Sequence, residues 1–202
     1  MSDFLISRIK DYIPLTDSES RLVESLFVEE LYKKNEVLLQ EGRICRKLYF
    51  ISEGIVRFSR FSDGGEKTFV FKDEGSFFTD HDSFMRKTAS KNTITAVTPT
   101  NVFSISYENL QVFYNELQYG DRFGRIAVEQ FLVIVFNHLS TLYSETPEQR
   151  FIKFAIHHKE LLQRIPQYYI ASHIGISPQS LCRIKKKMLK QKIKPQLLSL
   201  SA

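Results

Sequence analysis

Cysteine is scarce in this sequence: Cys45 and Cys182 are the only two among 202 residues. A disulfide-stapled extracellular domain needs more, so a reducing compartment is predicted. Long hydrophobic runs are absent too, since the longest uninterrupted apolar stretch, Phe131 to Phe136, is far shorter than the roughly 20 residues that span a bilayer. No basic segment leads into an apolar stretch near Met1, as a secretory signal requires. We therefore predict a cytoplasmic protein with no membrane partner.

Residues that carry catalysis or bind metals are equally sparse. The run Asp80-His81-Asp82 offers three ligand types, but adjacent side chains on a predicted loop converge poorly on one ion. Two cysteines fall short of the about four that an iron–sulfur cluster uses. No Ser–His–Asp set, glycine-rich phosphate loop or carboxylate pair stands out. The sequence predicts no enzyme activity, no metal site and no certain cofactor.

Charge is distributed unevenly along the chain. Residues 1–145 contain 17 Lys and Arg against 21 Asp and Glu, whereas residues 146–202 contain 11 against 2. Seven of the cations lie between Arg183 and Lys194, where there is no acid. Such asymmetry is typical of a basic module that binds a polyanion, joined to a module with another task. A solvated basic tail is the alternative interpretation.

Alternation of apolar and polar residues predicts β-structure from about residue 36 to residue 105. Glycine turns at Gly54 and at Gly64-Gly65 predict two hairpins within it. Two short helices are predicted before this region, and together the elements favour an α+β protein built on an antiparallel, jelly-roll-like β-roll. The predicted strands cover 37–39, 48–51, 55–61, 68–71, 77–78, 93–96 and 102–105.

A long helix is predicted from about Asp121 to Tyr143, after a shorter one from Glu108 to Leu117. Its middle is apolar on every side, so it must be buried on more than one face. Either the C-terminal domain or a second copy of the helix would provide the second partner. Polar residues inside this surface fix helix register or simply face solvent, and both interpretations stay open. The candidate dimerisation residues are Phe131, Ile134, Val135 and His138.

Residues 167–187 fit a helix-turn-helix, after a helix predicted from Thr146-Pro147 to about Leu162. Gly175 stands where the turn requires a left-handed residue, and Ser177-Pro178 is a typical helix start. Gln and Arg read base edges in a major groove, while Lys holds phosphates. The predicted DNA contacts are Gln179, Ser180, Arg183, Lys186 and Lys187 on the second helix, with Ser172 and Tyr169 on the first.

The whole chain resembles the Crp/Fnr transcription regulators. The string IASHIGISPQSLCRIKKKM resembles their DNA-binding end, and LYFISEGIVRFSRFSDGGEKTFVFKDEGSFF resembles their cyclic-nucleotide-binding β-roll. The resemblance implies a sensor β-roll over residues 1–118, a dimerisation helix over 119–145 and a helix-turn-helix domain over 146–202. It implies a homodimer that binds double-stranded DNA at a palindromic operator, with RNA polymerase as a further partner. The winged-helix pattern is reduced, because only Lys192 to Ala202 remain for a wing.

The effector positions depart from the family pattern. Where cyclic-nucleotide binders resemble one another in a Gly-Glu pair and an Arg-Ser pair, this chain has Thr79-Asp80 and Ser90-Lys91. Asp80 has a shorter reach than Glu, and Lys91 lacks the bidentate fork of Arg. We therefore predict that cyclic AMP is not the ligand, although a cyclic nucleotide or another small anionic effector stays open. The alternative function is a small-molecule sensor that regulates a protein partner without specific DNA binding.

Overall fold

The computed structural model describes residues 2–62 and 64–190. Contacts divide them into two compact units. One consists of the described residues up to Glu66 together with Val70–Phe136; the other consists of Lys67–Phe69 and the described residues from Asn137 onward. The three-part division expected from the sequence stays a prediction, and the expected reduced wing lies outside the described residues.

The α+β fold class is confirmed, because helices frame two antiparallel sheets in the first unit. One sheet has the strand order β1-β8-β3-β6 and the other the order β2-β7-β4-β5, a jelly-roll-like arrangement. The elements are α1 (Ser2–Lys10), α2 (Asp17–Leu26), β1 (Val28–Tyr32), β2 (Val37–Leu39), β3 (Lys47–Glu53), β4 (Val56–Ser62), β5 (Gly65–Lys72), β6 (Phe77–Phe78), α3 (His81–Arg86), β7 (Thr93–Ala96), β8 (Thr100–Ser106) and α4 (Tyr107–Glu116).

One hydrophobic cluster joins the two sheets of this unit. Phe50 of β3 and Ile94 of β7 are fully buried in it, and α1 adds Leu5 and Ile9. Burying these side chains removes large apolar surfaces from water, which stabilises each by roughly 1.5–3 kcal/mol. The β-branched and aromatic strands predicted from the sequence therefore form the core.

Strand β1 is not among the predicted strands, because Glu29 and Glu30 break its apolar pattern. Its neighbours satisfy both carboxylates: Asn101 Nδ2 donates to Glu29 Oε1 at 2.7 Å, and Lys47 Nζ donates to Glu30 Oε1 at 2.9 Å. Asn101 lies on the adjacent strand β8, and Lys47 lies on β3, the next strand beyond β8. Tertiary pairing thus overrides the low strand propensity of Glu.

The predicted hairpin at Gly54 is wrong. Strands β3 and β4 are consecutive but belong to different sheets, so the chain turns a corner between sheets there. Gly54 has φ of 103°, and a Cβ at this position would lie 2.5 Å from Thr100 Oγ1. Only glycine fits such a close approach. The second predicted hairpin is confirmed, because β4 and β5 are neighbours in one sheet.

The remaining helices are α5 (Gly120–Ser144), α6 (Pro147–His157), α7 (Leu161–Arg164), α8 (Gln167–Ile174) and α9 (Pro178–Lys190). The single helix expected up to Leu162 is wrong, since α6 ends at His157 and α7 begins only at Leu161. Buried Phe154 lies before this break, and buried Leu161 and Ile165 follow it. Sequence periodicity alone does not reveal such a break, because both halves have helical spacing.

Candidate functional site

The turn between α8 and α9 has the geometry that its sequence predicts. Gly175 has φ of 80°, and its N–H donates to Ser172 O while the Ile176 N–H donates to Ala171 O, each at 3.0 Å. This pair of bonds is a Schellman motif, which ends α8. Ser177 Oγ then accepts from the Ser180 N–H at 3.2 Å and so caps α9.

Arg150 supports this turn and is not among the residues singled out from the sequence. Its Nε donates to Ile174 O at 3.0 Å, and its Nη1 donates to Glu145 O at 2.7 Å. The guanidinium therefore ties the last carbonyls of α8 to the chain just before α6. A charged donor is well placed at a helix C-terminus, where carbonyls carry partial negative charge. A sequence signal existed, because Arg150 directly follows the capping box that opens α6.

Helix α9 has one buried side and one polar side. Leu181 is buried, whereas Gln179, Arg183 and Lys186 are exposed. Positions 179, 183 and 187 recur every four residues, so they share one face of the helix. Arg183 Nη2 reaches Ser180 Oγ at 3.5 Å, and Lys187 Nζ donates to Glu148 Oε2 at 2.9 Å. The structure thus brings the five α9 candidates together, with Lys187 already ion-paired.

The two candidates on α8 are placed differently. Ser172 Oγ accepts from the Thr68 N–H at 2.9 Å; Thr68 lies in the short segment that groups with the second unit. Tyr169 is half-buried, and its ring centre lies 4.1 Å from that of exposed Tyr168. The side chain of Tyr168 is thus more exposed to solvent than that of Tyr169. A role for either α8 candidate on DNA stays a prediction.

The four dimerisation candidates share one face of α5 by their spacing, but they differ in exposure and in contacts. The Phe131 ring lies 4.6 Å from that of His81, and the His138 ring lies 5.5 Å from that of His173. Ile134, in contrast, is 57% exposed, and Val135 is half-buried. Phe131 and His138 thus contact other rings of the same chain, while Ile134 and Val135 are at least partly exposed to solvent.

The effector candidate Asp80 is a structural residue of the first unit. It caps α3, a helix where the sequence predicts a loop, by accepting from the Ser83 N–H at 3.2 Å. Its other oxygen accepts from Ser90 Oγ at 2.6 Å and from Asn92 Nδ2 at 2.8 Å. Asp80 and Ser90 are both buried. The carboxylate that would hold a ribose hydroxyl is therefore occupied by the protein itself.

The electrostatics of Asp80 agree with this structural role. Burial raises the pKa of its carboxyl, but the hydrogen bonds from Ser90, Asn92 and the Ser83 N–H outweigh it, so the pKa lies below its usual value. A buried carboxylate is stable in its charged form only with such donors. Asp80 is therefore charged without any ligand.

The other two effector candidates, Thr79 and Lys91, differ in burial. Thr79 is buried, and its hydroxyl donates to Lys47 O at 2.8 Å and lies 3.3 Å from Cys45 Sγ. Lys91 is exposed. Three of the four candidates thus belong to a buried polar network, and only Lys91 is free to meet an anion.

Residues 29–117 match the family model of the cyclic nucleotide-binding domain. No curated protein matches the chain significantly in sequence. The matched region covers the two sheets and α4, including the effector candidates.

Solved structures with the same fold extend the likeness over most of the chain. FixK2 from Bradyrhizobium japonicum is 16% identical with a TM-score of 0.72, and covers 83% of this chain and 86% of its own. A protein from Eubacterium rectale, described as a transcriptional regulator of the Crp/Fnr family, is 17% identical with a TM-score of 0.69, covering 90% and 88%. The catabolite activator protein of Thermus thermophilus is 20% identical with a TM-score of 0.56, covering 92% and 88%. Residues 29–117 are thus similar to the cyclic nucleotide-binding domain family, and the chain has the fold of the Crp/Fnr transcription regulators, as its motifs predict.

Proposed function

We propose that this protein is a cytoplasmic, homodimeric transcription regulator that binds a palindromic DNA operator and is not an enzyme. The observation that carries the proposal is the polar, cationic face of α9, held by a Schellman turn, a serine cap and the Arg150 tie. A helix presented this way fits a major groove, with its first turns at base edges. RNA polymerase is the further partner that this function implies.

An apolar stripe on α5 supports the homodimer. Val128, Leu132, Val135, Leu139 and Leu142 follow one another at spacings of four, three, four and three residues. This is the heptad pattern of a helix that pairs with another helix. Leu132 is 47% exposed and Leu139 is 43% exposed within the single chain. Of the four candidates named from the sequence, only Val135 lies on the stripe.

A second copy of α5 is the occupant that this pattern favours. By length and composition, the 25-residue helix could also cross a membrane, since its mean hydropathy reaches 1.3 over 18 residues. A seam of two apolar positions per heptad is what a helix pair uses, and Arg125 and Glu129 form an ion pair at 2.8 Å on the same helix. Inside a bilayer, the two charged side chains would be costly, because no water is there to hydrate them. Sedimentation of the purified protein without detergent distinguishes the two.

The proposed effector response does not involve cyclic AMP. A ribose acceptor must be free, whereas Asp80 already accepts from three donors. The phosphate needs an arginine fork, and this chain has Ser90-Lys91 at that pair. Calorimetric titration with cyclic AMP is expected to show no binding in the low micromolar range. A dissociation constant there would contradict this part of the proposal.

Selection of duplexes from a random pool by the full chain tests the DNA proposal. The expected product is a palindrome with half-site centres about 34 Å apart, one helical turn. A pool that shows no enrichment would favour the alternative, a β-roll sensor that regulates a protein partner.

Arg183 and Lys186 provide a matched pair of variants for this operator. Arg183→Ala should cost roughly 1–3 kcal/mol on the operator and relax specificity at one base pair of each half-site, because only Arg has the fork for guanine. Lys186→Ala should weaken binding to operator and scrambled duplex alike and lower the salt slope by about one per subunit. Equal weakening of both duplexes by Arg183→Ala would make Arg183 a phosphate contact.

A further inference from the structure

The first unit contains a cavity of about 610 Å³ that none of the effector candidates lines. Its volume lies within the range of about 300–1,000 Å³ typical of small-molecule sites. The walls come from α3, α4, the first part of α5, β6 and the end of β5, with further residues from α1 and β3. Aromatic side chains dominate them: Phe77, Phe78, Phe84, Tyr107, Tyr114, Phe123 and Phe131.

Two basic side chains face this aromatic cavity from the roll side, Lys72 and His81. Among the described residues 2–62 and 64–190, no side-chain hydrogen bond or ion pair engages the Lys72 ammonium. Loss of hydration lowers the pKa of Lys72, and the neighbouring Asp73 offsets only part of this effect. A partly buried ammonium without an ion-pair partner is stabilised when an anion binds beside it.

The other cations of the cavity wall are already paired. Arg8 donates to Asp11 Oδ2 at 2.9 Å and to Gly75 O at 3.1 Å, and Arg125 is paired with Glu129 at 2.8 Å. Asp121, in the first turn of α5, is the remaining acid of the wall. Lys72 is therefore the cation with the most to gain from a bound anion.

We propose that this cavity binds an amphiphilic monoanion, a molecule with an aromatic or aliphatic body and one carboxylate-like group, with the anion on Lys72 and the body among the aromatic side chains. His81 closes one side of the site, because its ring packs on Phe131 of α5 at 4.6 Å. A nucleotide is a poor fit, since its sugar and phosphate need several polar partners and most of the wall surface is apolar. The site lies against α5, the helix that we propose for dimerisation. A ligand in the cavity would therefore contact the dimerisation helix directly.

Binding can be measured on the full chain with two fluorescent probes of the same skeleton. Anilinonaphthalene sulfonate carries one negative charge, and phenylnaphthylamine is its uncharged counterpart. Both should bind, because both fill the aromatic cavity. Lys72→Met should weaken the sulfonate about tenfold, the range of one charge-assisted hydrogen bond, and leave the amine unchanged. Lys72→Arg should restore the sulfonate.

Two control variants locate the site. Lys91→Met removes the exposed cation that the sequence favours and should change neither probe. Ala127→Phe, which projects into the cavity, should weaken both probes, whereas Val133→Phe on the same helix but outside the cavity wall should not. Unchanged melting of each variant excludes misfolding. Dodecanoate should displace the sulfonate at a lower concentration than dodecanol does.

Three results would overturn the proposal. They are equal weakening of both probes by Lys72→Met, weakening of the sulfonate by Lys91→Met, and unchanged binding in Ala127→Phe. All titrations are made without DNA. The cavity proposal can therefore fail while the operator experiment succeeds, and the reverse.

Discussion

The β-roll and the C-terminal helices use their polar residues in different ways. In the C-terminal helices, the residues that form the turn between α8 and α9 do not use the polar side chains of Gln179 and Arg183 on α9. Those side chains therefore stay on the exposed face of the helix. In the roll, the fold is intact, but a carboxylate at the effector position is bound by Ser90, Asn92 and the Ser83 N–H. A carboxylate at a position predicted to bind a ligand can instead be part of the internal hydrogen bonding of the fold.

The largest expected effect is on the proposed dimer contact of α5, the helix between the two regions. Val135→Glu places a charge on the apolar stripe of α5, and an unpaired buried charge costs about 3–5 kcal/mol. We expect monomers in sedimentation and loss of operator binding. Val133→Glu is the matched control, since Val133 is 60% exposed and lies off the stripe. A Val135→Glu protein that stays dimeric would place the dimer interface elsewhere.

The next prediction separates a structural Asp80 from a ligand-binding one. Asp80→Ala leaves the donors of Ser90 and Asn92 without their acceptor and should lower the free energy of unfolding by about 3 kcal/mol at neutral pH. Lys91→Ala, on an exposed side chain, should change it by less than about 0.5 kcal/mol. Urea unfolding of both variants provides the comparison, and equal stability of the two would refute the structural role.

The same residue predicts a pH dependence. The pKa of Asp80 is lower in the folded state, so its stabilising contribution is present above the ordinary carboxyl pKa of about 3.9. That contribution is lost as the pH falls through the lower folded value. The stability difference between the wild type and Asp80→Ala should therefore shrink below about pH 4. A difference that persists undiminished in acid would contradict this assignment.

A pair of glycines sharpens the comparison at the level of backbone strain. Gly175 has φ of 80° in the helix turn and Gly42 has φ of 84° in the roll, and a Cβ would meet nothing closer than 3.8 Å at either. Each change to Ala should cost about 1–2 kcal/mol of stability, from the left-handed conformation alone. Only Gly175→Ala should also weaken operator binding, because only that turn orients α9. Weakened operator binding by Gly42→Ala would show that roll strain reaches the DNA face.

The smallest expected effect concerns the ion pair between Glu148 and Lys187. Glu148→Gln frees Lys187 and should raise affinity for any duplex about two- to threefold, consistent with the small energy of an exposed pair. Glu160→Gln makes the same change in net charge at the other acid of residues 146–202. Filter binding at low salt measures both variants, and an equal rise in the two would assign the effect to net charge alone.

Much of the C-terminal region was predictable because its signals are local. Gly175, Ser177 and Pro178 act on the backbone within a few residues of themselves, so a helix, a turn and a helix follow from their order. The break between α6 and α7 was not predictable, since Phe154 and Leu161 keep helical spacing across it. Arg150 was missed because its partners, Ile174 O and Glu145 O, come together only in the folded chain.

In the roll, the alternating strands and the second hairpin can be predicted from the sequence. Alternation of apolar and polar side chains and a left-handed glycine turn are both local properties of the chain. Tertiary structure decided the rest. Strand β1 is stabilised because Asn101 on β8 and Lys47 on β3 donate to its two glutamates. The chain turns a corner at Gly54, not a hairpin, because β3 and β4 belong to different sheets. Asp80 is similar. Its charge and its contact with the Ser83 N–H are local, but only folding brings the donors of Ser90 and Asn92 to its carboxylate.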